Sequence, residues 1–312
     1  MKVFVAGASG AIGRPLIRQL VAAGHEVTGM TRREERAAEI REAGAEAVVC
    51  DVFDAEAVRE AVVAARPEAV VHALTALPPR FTARTDLRPT NRIRIEGTRN
   101  LVAAARAAGA KRMVAESVAF FYAPEGSCVK DEEAPLDVGA PGKVGAAVAA
   151  ITELERQVLE AEGMEGLVLR FGWFYGPDTY IGPGGSQAEE VRKRRYPIVG
   201  AGDATFSFIH VEDAAAAVVA ALERGAAGVY NVADDEPAPL REWLPVFAET
   251  LGAKPPRRVP LWLVGLVVGR AMARAAAGTR GAANAKAKRE LGWEPAYPSW
   301  RQGFAEVFAN SS

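Results

Sequence analysis

The 312-residue chain carries 38 Lys and Arg against 39 Asp and Glu, a formal net charge of -1, with hydrophobic residues at 49% and charged ones at 25%. That is the composition of an ordinary soluble globular protein, long enough for one large domain or two lobes sharing a core without disulfide or metal staples. Near-neutral charge argues against nucleic acid or membrane as the main partner, and two cysteines, Cys50 and Cys128, exclude a disulfide framework or a Cys-rich zinc site.

Strand-like and helix-like patterns alternate from the first residues. Residues 3–6 read as a short apolar strand, with no charged-then-apolar leader before it. Residues 12–23 read as a helix with Ile12, Leu16, Leu20 and Ala23 on one face, ended by Gly24. A strand at 26–30, a helix at 34–43 closed by Gly44, a strand at 47–50, a helix at 54–65 and a strand at 69–72 follow. The segment 91–108 predicts one long helix stopped by Gly109, leading into a strand at 112–115. A helix over roughly 143–162 precedes a strand at 167–171. Such βαβ repetition with buried strands predicts an α/β protein of Rossmann type, a mostly parallel sheet flanked by helices.

Regularity drops after residue 172, where Gly176-Pro177 and Gly182-Pro183-Gly184-Gly185 mark loops. Segments 206–209, 213–223 and 228–231 read as a return to the sheet. The expected organisation is a dinucleotide-binding domain over 1–172 and 206–231, with a small C-terminal substrate lobe from 173–205 and 232–312. The short basic run Arg192 to Arg195 reads as a solvated helix face. The apolar run at 261–269 is too short for a bilayer, which takes about 20 residues, and reads as a buried helix. These features together predict a reduced, cytoplasmic protein. His25, His72 and His210 do not cluster, and no metal is expected.

The sharpest motif is Gly7-Ala8-Ser9-Gly10-Ala11-Ile12-Gly13, directly after the first strand and opening the first helix. One glycine permits a tight turn, a second the close approach of a phosphate, and a third close helix–sheet packing. The helix N-terminus offers free N–H groups to a pyrophosphate, so Gly7, Ser9, Gly10, Ala11, Ile12 and Gly13 are the expected grip on a dinucleotide. Where an NAD site would place an acid at the end of the second strand, the chain has Met30-Thr31-Arg32-Arg33. Neutral Thr31 and the guanidinium of Arg32 predict a preference for NADP(H), with NAD(H) the alternative. Asp51 and the Val52 N–H after the third strand are candidates for the adenine edge.

With these features the chain resembles the extended short-chain dehydrogenase/reductase family, which contains nucleotide-sugar epimerases and dehydratases. The resemblance runs over nearly the whole length: Gly7 to Gly13, Asp51-Val52, His72-Ala73-Leu74-Thr75, Asn91 with Gly97-Thr98-Arg99-Asn100-Leu101, Leu169-Arg170-Phe171 with Tyr175-Gly176-Pro177, His210-Val211-Glu212-Asp213-Ala214, and the run from Ala287 to Pro295. It adds Leu74 and Thr75 to the expected cofactor site. It also implies a reaction centre of Tyr and Lys four residues apart on a helix, assisted by Ser or Thr after the fifth strand. The corresponding helix runs Lys143-Val144-Gly145-Ala146-Ala147-Val148-Ala149-Ala150-Ile151-Thr152-Glu153, with no Tyr and no Lys after 143. Substitute groups are Ser117 near the family's Ser position, Tyr122 and Tyr175 at strand ends, and Lys143 at the helix start.

In the nucleotide-sugar enzymes an Arg precedes the His-Val motif, whereas Phe206 stands there in this chain, beside Trp173, Phe174 and Phe208. A less polar substrate follows. The leading expectation is an NADP(H)-dependent oxidoreductase reducing a small or aromatic carbonyl; the alternatives are a nucleotide-sugar epimerase or dehydratase and a non-catalytic NAD(P)-binding redox sensor. The stripe Val144, Ala147, Ile151, Leu154 and Val158 is compatible with a homodimer through the helices at 91–108 and 143–162.

Overall fold

A computed structural model describes residues 1–82, 85–269, 273 and 276–309. Strands β1 (Lys2–Ala6), β2 (Glu26–Thr31), β3 (Glu46–Val49), β4 (Ala69–His72) and β5 (Arg112–Val118) alternate with helices α1 (Gly13–Ala22), α2 (Glu34–Glu42) and α3 (Ala55–Ala65). Between β4 and β5 the chain forms α4 (Arg88–Arg92), a π-helical turn (Ile93–Gly97) and α5 (Thr98–Ala107). Short β6 (Val129–Lys130), α6 (Gly142–Leu159), β7 (Glu165–Phe171), β8 (Trp173–Tyr175), α7 (Ser186–Arg192), β9 (Ile198–Val199), β10 (Thr205–Phe206) and β11 (Phe208–His210) follow. Helix α8 (Val211–Glu223) leads to β12 (Gly228–Val232), β13 (Ala238–Pro239), α9 (Leu240–Thr250), β14 (Arg258–Val259), α10 (Leu261–Val268), β15 (Gly281–Ala282), α11 (Ala285–Leu291) and α12 (Trp300–Ala309).

Seven parallel strands form one sheet in the order β12-β7-β5-β4-β1-β2-β3. The chain winds outward from β1 to β3, then restarts at β4 on the other side of β1. That reversal opens a crevice at the C-terminal ends of β1 and β4, the place where open α/β sheets bind ligands. Alternate strand residues feed two cores, with Val3, Val5, Val71 and Val114 on one face and Phe4, Val70, Met113 and Ala115 on the other.

The lobe has its own aromatic core, including Tyr175, Phe206, Phe208, Trp243, Trp300 and Phe304. Two segments cross the boundary drawn from sequence: Phe206 and Phe208 pack into the lobe, while Ala287, Leu291 and Trp293 return to the Rossmann core. The return is held by Asp213, whose carboxylate accepts the N–H groups of Ala296 (2.8 Å) and Tyr297 (3.0 Å) while its carbonyl accepts Trp293 Nε1 (3.1 Å). The cap of α8 is instead His210, whose Nδ1 accepts the Glu212 N–H at 3.2 Å.

Three expectations change. The helix expected at 91–108 starts at Arg88 and is interrupted by the π turn. Strand β5 runs to Val118 because it pairs with β7 along its whole length, so Ser117 lies inside the strand. The apolar run forms a helix over Leu261–Val268, but Trp262 is 68% and Leu266 70% exposed, and among the described residues of the run only Gly265 is buried, so it is a rim helix and not a core one. No helix of the described residues is long and apolar enough to cross a membrane. The stripe of α6 is consumed by its own chain, with Ala147, Ile151, Leu154 and Val158 all buried under the sheet. The outward residues of α6 include Ala146 and Ala149.

Candidate functional site

The glycine turn is folded tightly upon itself. Gly7 has φ +100°, and a Cβ there would lie 2.4 Å from the Ala73 carbonyl oxygen; one on Gly13 would lie 2.2 Å from the Gly7 carbonyl oxygen. Neither position admits a side chain, so the backbone presents a bare cradle at the crevice. Gly10 N–H closes the turn on Gly7 O at 3.0 Å, and α1 begins at Gly13 with no acidic residue in its first turn. The first N–H groups of a helix lack carbonyl partners within it, and with the helix dipole they favour an anion here. Gly10 is exposed and Ala11 half-buried at this opening, while Ile12 is buried as an anchor of the helix. The residues present fit the pyrophosphate of a dinucleotide.

The adenosine side holds Thr31, buried at the end of β2 with its Oγ1 3.1 Å from Ser9 Oγ. Arg32 and Arg33 are exposed, immediately followed by Glu34 and Glu35. Asp51 uses a carboxylate oxygen to accept the Phe53 N–H at 3.0 Å, and the Val52 carbonyl accepts Asn100 Nδ2 at 2.8 Å. Leu74 is half-buried and Thr75 exposed beyond β4. Leu74 N–H donates to His72 Nδ1 at 3.3 Å, which leaves Nε2 to donate to Thr98 Oγ1 at 3.0 Å. Burial, helped by Arg94, pushes His72 down to about 4, so the ring is neutral.

The proposed proton donors are dispersed. Ser117 and Tyr122 come together, but inside a sealed network. Ser117 Oγ donates to Glu155 at 2.7 Å, and Arg170 clasps both oxygens of Glu155 at 2.8 and 2.6 Å. Arg170 also donates to the Tyr122 oxygen at 3.1 Å, and that hydroxyl donates to Asn231 Oδ1 at 2.6 Å. Burial pushes the Tyr122 phenol up, against the pull of Arg170. Tyr175 is fully buried between Phe304, His210 and Gly303, its hydroxyl without a hydrogen-bond partner among the described residues; burial first, then Asp234, raises its pKa. Lys143 sits half-buried in the first turn of α6. The structure therefore does not gather these four groups at one open site.

Another acid, Glu116, lies level with the glycine turn. Ala6 is level with His72 and His72 with Ala115 across adjacent strands, so Gly7, Ala73 and Glu116 continue one row across the mouth of the crevice. Strand β4 has ended at this level, leaving that flank of Glu116 beside the departing chain. Burial pushes the Glu116 carboxyl up to about 7 against the attraction of Arg94, and the Arg94 guanidinium is pushed down to about 10 by its own burial. Both side chains are half-buried, and no direct ion pair joins them among the described residues. Beyond the ends of β5 and β7, Phe120 stacks on Trp173 with ring centroids 4.3 Å apart. The signal for Glu116 was an acid interrupting an otherwise apolar strand; Arg94, on a helix read as regular, gave none. No cluster of three or more His, Cys, Asp or Glu able to hold a metal occurs among the described residues.

Fold and cradle together define an NAD(P)-binding oxidoreductase of Rossmann type. Residues 3–233 match the model of the NAD dependent epimerase/dehydratase family, and the chain belongs to that family. It is 49% identical over 310 residues (97% of this chain, 99% of the relative) to a 3-diazoavenalumate denitrifying reductase of a Streptomyces species. It is 31% identical over 260 residues (81% of this chain, 74% of the relative) to a 4-hydroxy-2-methyl-3-oxo-4-farnesyl-3,4-dihydroquinoline-1-oxide ketoreductase of Stigmatella aurantiaca. Among solved structures, the UDP-glucose 4-epimerase of Thermus thermophilus with NAD superposes with a TM-score of 0.74 at 23% identity, covering 100% of this chain and 99% of the other.

The comparisons correct the expected NADP(H) preference. Related structures were solved repeatedly with NAD. The physical reason lies in the surroundings of the two arginines: they project into solvent beside Glu34 and Glu35, with Thr31 turned back onto Ser9, so their charge is not collected into a phosphate pocket. Of the substrate expectations, the family model and the solved relatives support the epimerase/dehydratase alternative better than a small or aromatic carbonyl.

Proposed function

We propose that this protein is an NAD(H)-dependent reductase that removes nitrogen from a diazo-bearing aromatic carboxylate. The observation that carries the reading is the 49% identity, over nearly both full lengths, to a denitrifying reductase of a diazo compound. Gly7, Gly10, Ala11 and Gly13 would hold the pyrophosphate, Ser9, Ile12, Thr31 and Arg32 would border the turn and the ribose, Asp51 and Val52 the adenine, and Leu74 and Thr75 the span beyond β4. Bound there, NADH supplies a hydride.

The chemistry accounts for a helix α6 without tyrosine, whose one lysine is Lys143. Carbonyl reduction leaves an alkoxide that must take up a proton, the task of the Tyr–Lys pair in the resembling family. A diazonium carbon that accepts hydride loses its bond to nitrogen and releases N₂: R–N₂⁺ plus H⁻ gives R–H plus N₂, with no proton in the balance. The protein then has to orient the acceptor and exclude water. The stacked Phe120 and Trp173 supply a flat apolar wall for an aromatic frame.

The test is NADH consumption with carboxybenzenediazonium, above a protein-free background, using NADH deuterated at the transferring carbon. One deuterium at the carbon that lost N₂ supports the reading; no catalysed turnover sinks it. The second reading, epimerisation of a nucleotide sugar, is favoured by the family model and the fold likeness. UDP-glucose in the same panel decides it: interconversion without net NADH consumption would replace the first reading.

A further inference from the structure

We propose that helix α10 and the basic residues bordering it form a docking surface for an anionic lipid bilayer, the apolar side chains entering the interface and the basic ones meeting lipid phosphates.

The helix itself is the first argument. Leu261-Trp262-Leu263-Val264-Gly265-Leu266-Val267-Val268 carries no charge and no polar side-chain group but the indole N–H of Trp262, and a helix apolar all round requires cover on every side. The protein covers one side. Gly265 is buried and Leu261 and Val264 are half-buried, whereas Trp262, Leu263 and Leu266, neighbours at helical spacing, are 68%, 41% and 70% exposed. Elsewhere among the described residues the large exposed apolar side chains are scattered, at Met1, Val49, Val63, Leu77, Val138 and Leu159. Single exposed apolar residues are ordinary, but a contiguous patch marks an interaction surface. At about 12 Å the helix is too short to span a hydrocarbon core of about 30 Å, so it lies in the bilayer interface, where tryptophan settles.

Charge identifies the occupant. From Thr250 to Arg289 the chain has nine Lys and Arg and no Asp or Glu, although its formal net charge is -1. Three of the nine, Lys254, Arg257 and Arg258, are exposed just ahead of the helix. The fold brings a second basic run beside them. Strand β14 pairs with β9, the Gly200 N–H donates to the Val259 carbonyl at 2.9 Å, and Arg194 Nε donates to the Pro255 carbonyl at 3.0 Å. Arg194 and exposed Arg195 therefore lie along the same stretch. On α6, by contrast, exposed Arg156 is balanced by Glu153 and Glu160 one turn away. An unbalanced basic collar beside a bare apolar helix disfavours a second copy of the same surface and complements anionic headgroups.

The experiment sediments the full chain with vesicles of phosphatidylcholine alone and of equal parts phosphatidylcholine and phosphatidylglycerol. Binding to the anionic vesicles should be tighter by at least about tenfold and should weaken as salt is raised. The emission of Trp262 should shift to the blue on those vesicles and be quenched by lipids brominated in the acyl chain; the other four tryptophans are buried or half-buried. Trp262→Ser with Leu266→Ser should abolish binding, and Lys254→Ser with Arg257→Ser and Arg258→Ser should erase the preference for anionic vesicles. All five side chains are exposed, so thermal midpoint and NAD⁺ affinity should stay at wild-type values. Absence of binding to either vesicle, or binding that survives Trp262→Ser with Leu266→Ser, overturns the surface. A lipid-free dimer in sedimentation equilibrium that the same double change dissociates also overturns it, and gives the helix to a second copy.

Discussion

Glu155 and Arg170 are 7% and 8% exposed at their side chains, and their two-pronged contact is extended by Ser117 and Tyr122. Removing one partner strands a charge in a dry interior. Arg170→Met should cost about 3–5 kcal/mol in urea denaturation, whereas Arg170→Met with Glu155→Leu should cost less than either single change. If the double variant is the least stable of the three, the charge-burial account fails. His72 gives a second prediction at this scale. Its folded pKa of about 4 lies below the ordinary 6.5, so between those values the folded state binds fewer protons than the unfolded one. Its contribution is complete above pH 6.5 and declines as pH falls toward 4, by at most about 3 kcal/mol. Glu116 acts oppositely, its pKa raised from 4.5 to about 7, so its contribution is lost as pH rises through that window. His72→Asn should therefore flatten the loss of stability between pH 6 and pH 4 relative to wild type; an unchanged slope in paired denaturation curves would be incompatible with a buried neutral ring.

The strand–turn–helix at the N-terminus was legible residue by residue because its constraint is local: three glycines in seven residues are what a backbone cradle requires. A methyl group on Gly13 would reach 2.2 Å from a backbone oxygen that has no room to retreat. Gly13→Ala should weaken NADH binding at least about tenfold, read by fluorescence titration, as the turn is displaced from the phosphate position. Affinity within a factor of two of wild type would mean that the cofactor is held elsewhere. The helix before β5 was legible only as helix. Its π turn packs against α6, and periodicity is too coarse to register one added residue in a turn.

At the scale of the whole molecule, the C-terminal segment is stitched back to the first domain through Asp213. Its carboxylate takes two backbone N–H groups 83 and 84 residues away, and its backbone carbonyl takes Trp293. Asp213→Ala leaves those two donors without acceptors and should cost about 2–4 kcal/mol. Limited proteolysis should then cut the segment 294–299 first; protection equal to wild type would show that the segment is held by packing alone. The sequence does not reveal this tie, because a cap and a clamp place the same residue type at the same helix end.

The sequence by itself determined the alternation of strand and helix, the parallel sheet, the phosphate cradle and the absence of tyrosine from α6. Each follows from contacts between near neighbours in the chain, where periodicity and glycine spacing are direct records of geometry. Only the tertiary structure decided that Ser117 and Tyr122 belong to a sealed network with Glu155 and Arg170, and that Tyr175 is walled in by the lobe. Those outcomes depend on strand register and on segments brought together from distant parts of the chain. A side chain's protonation, reach and access are set by neighbours that no local pattern can name.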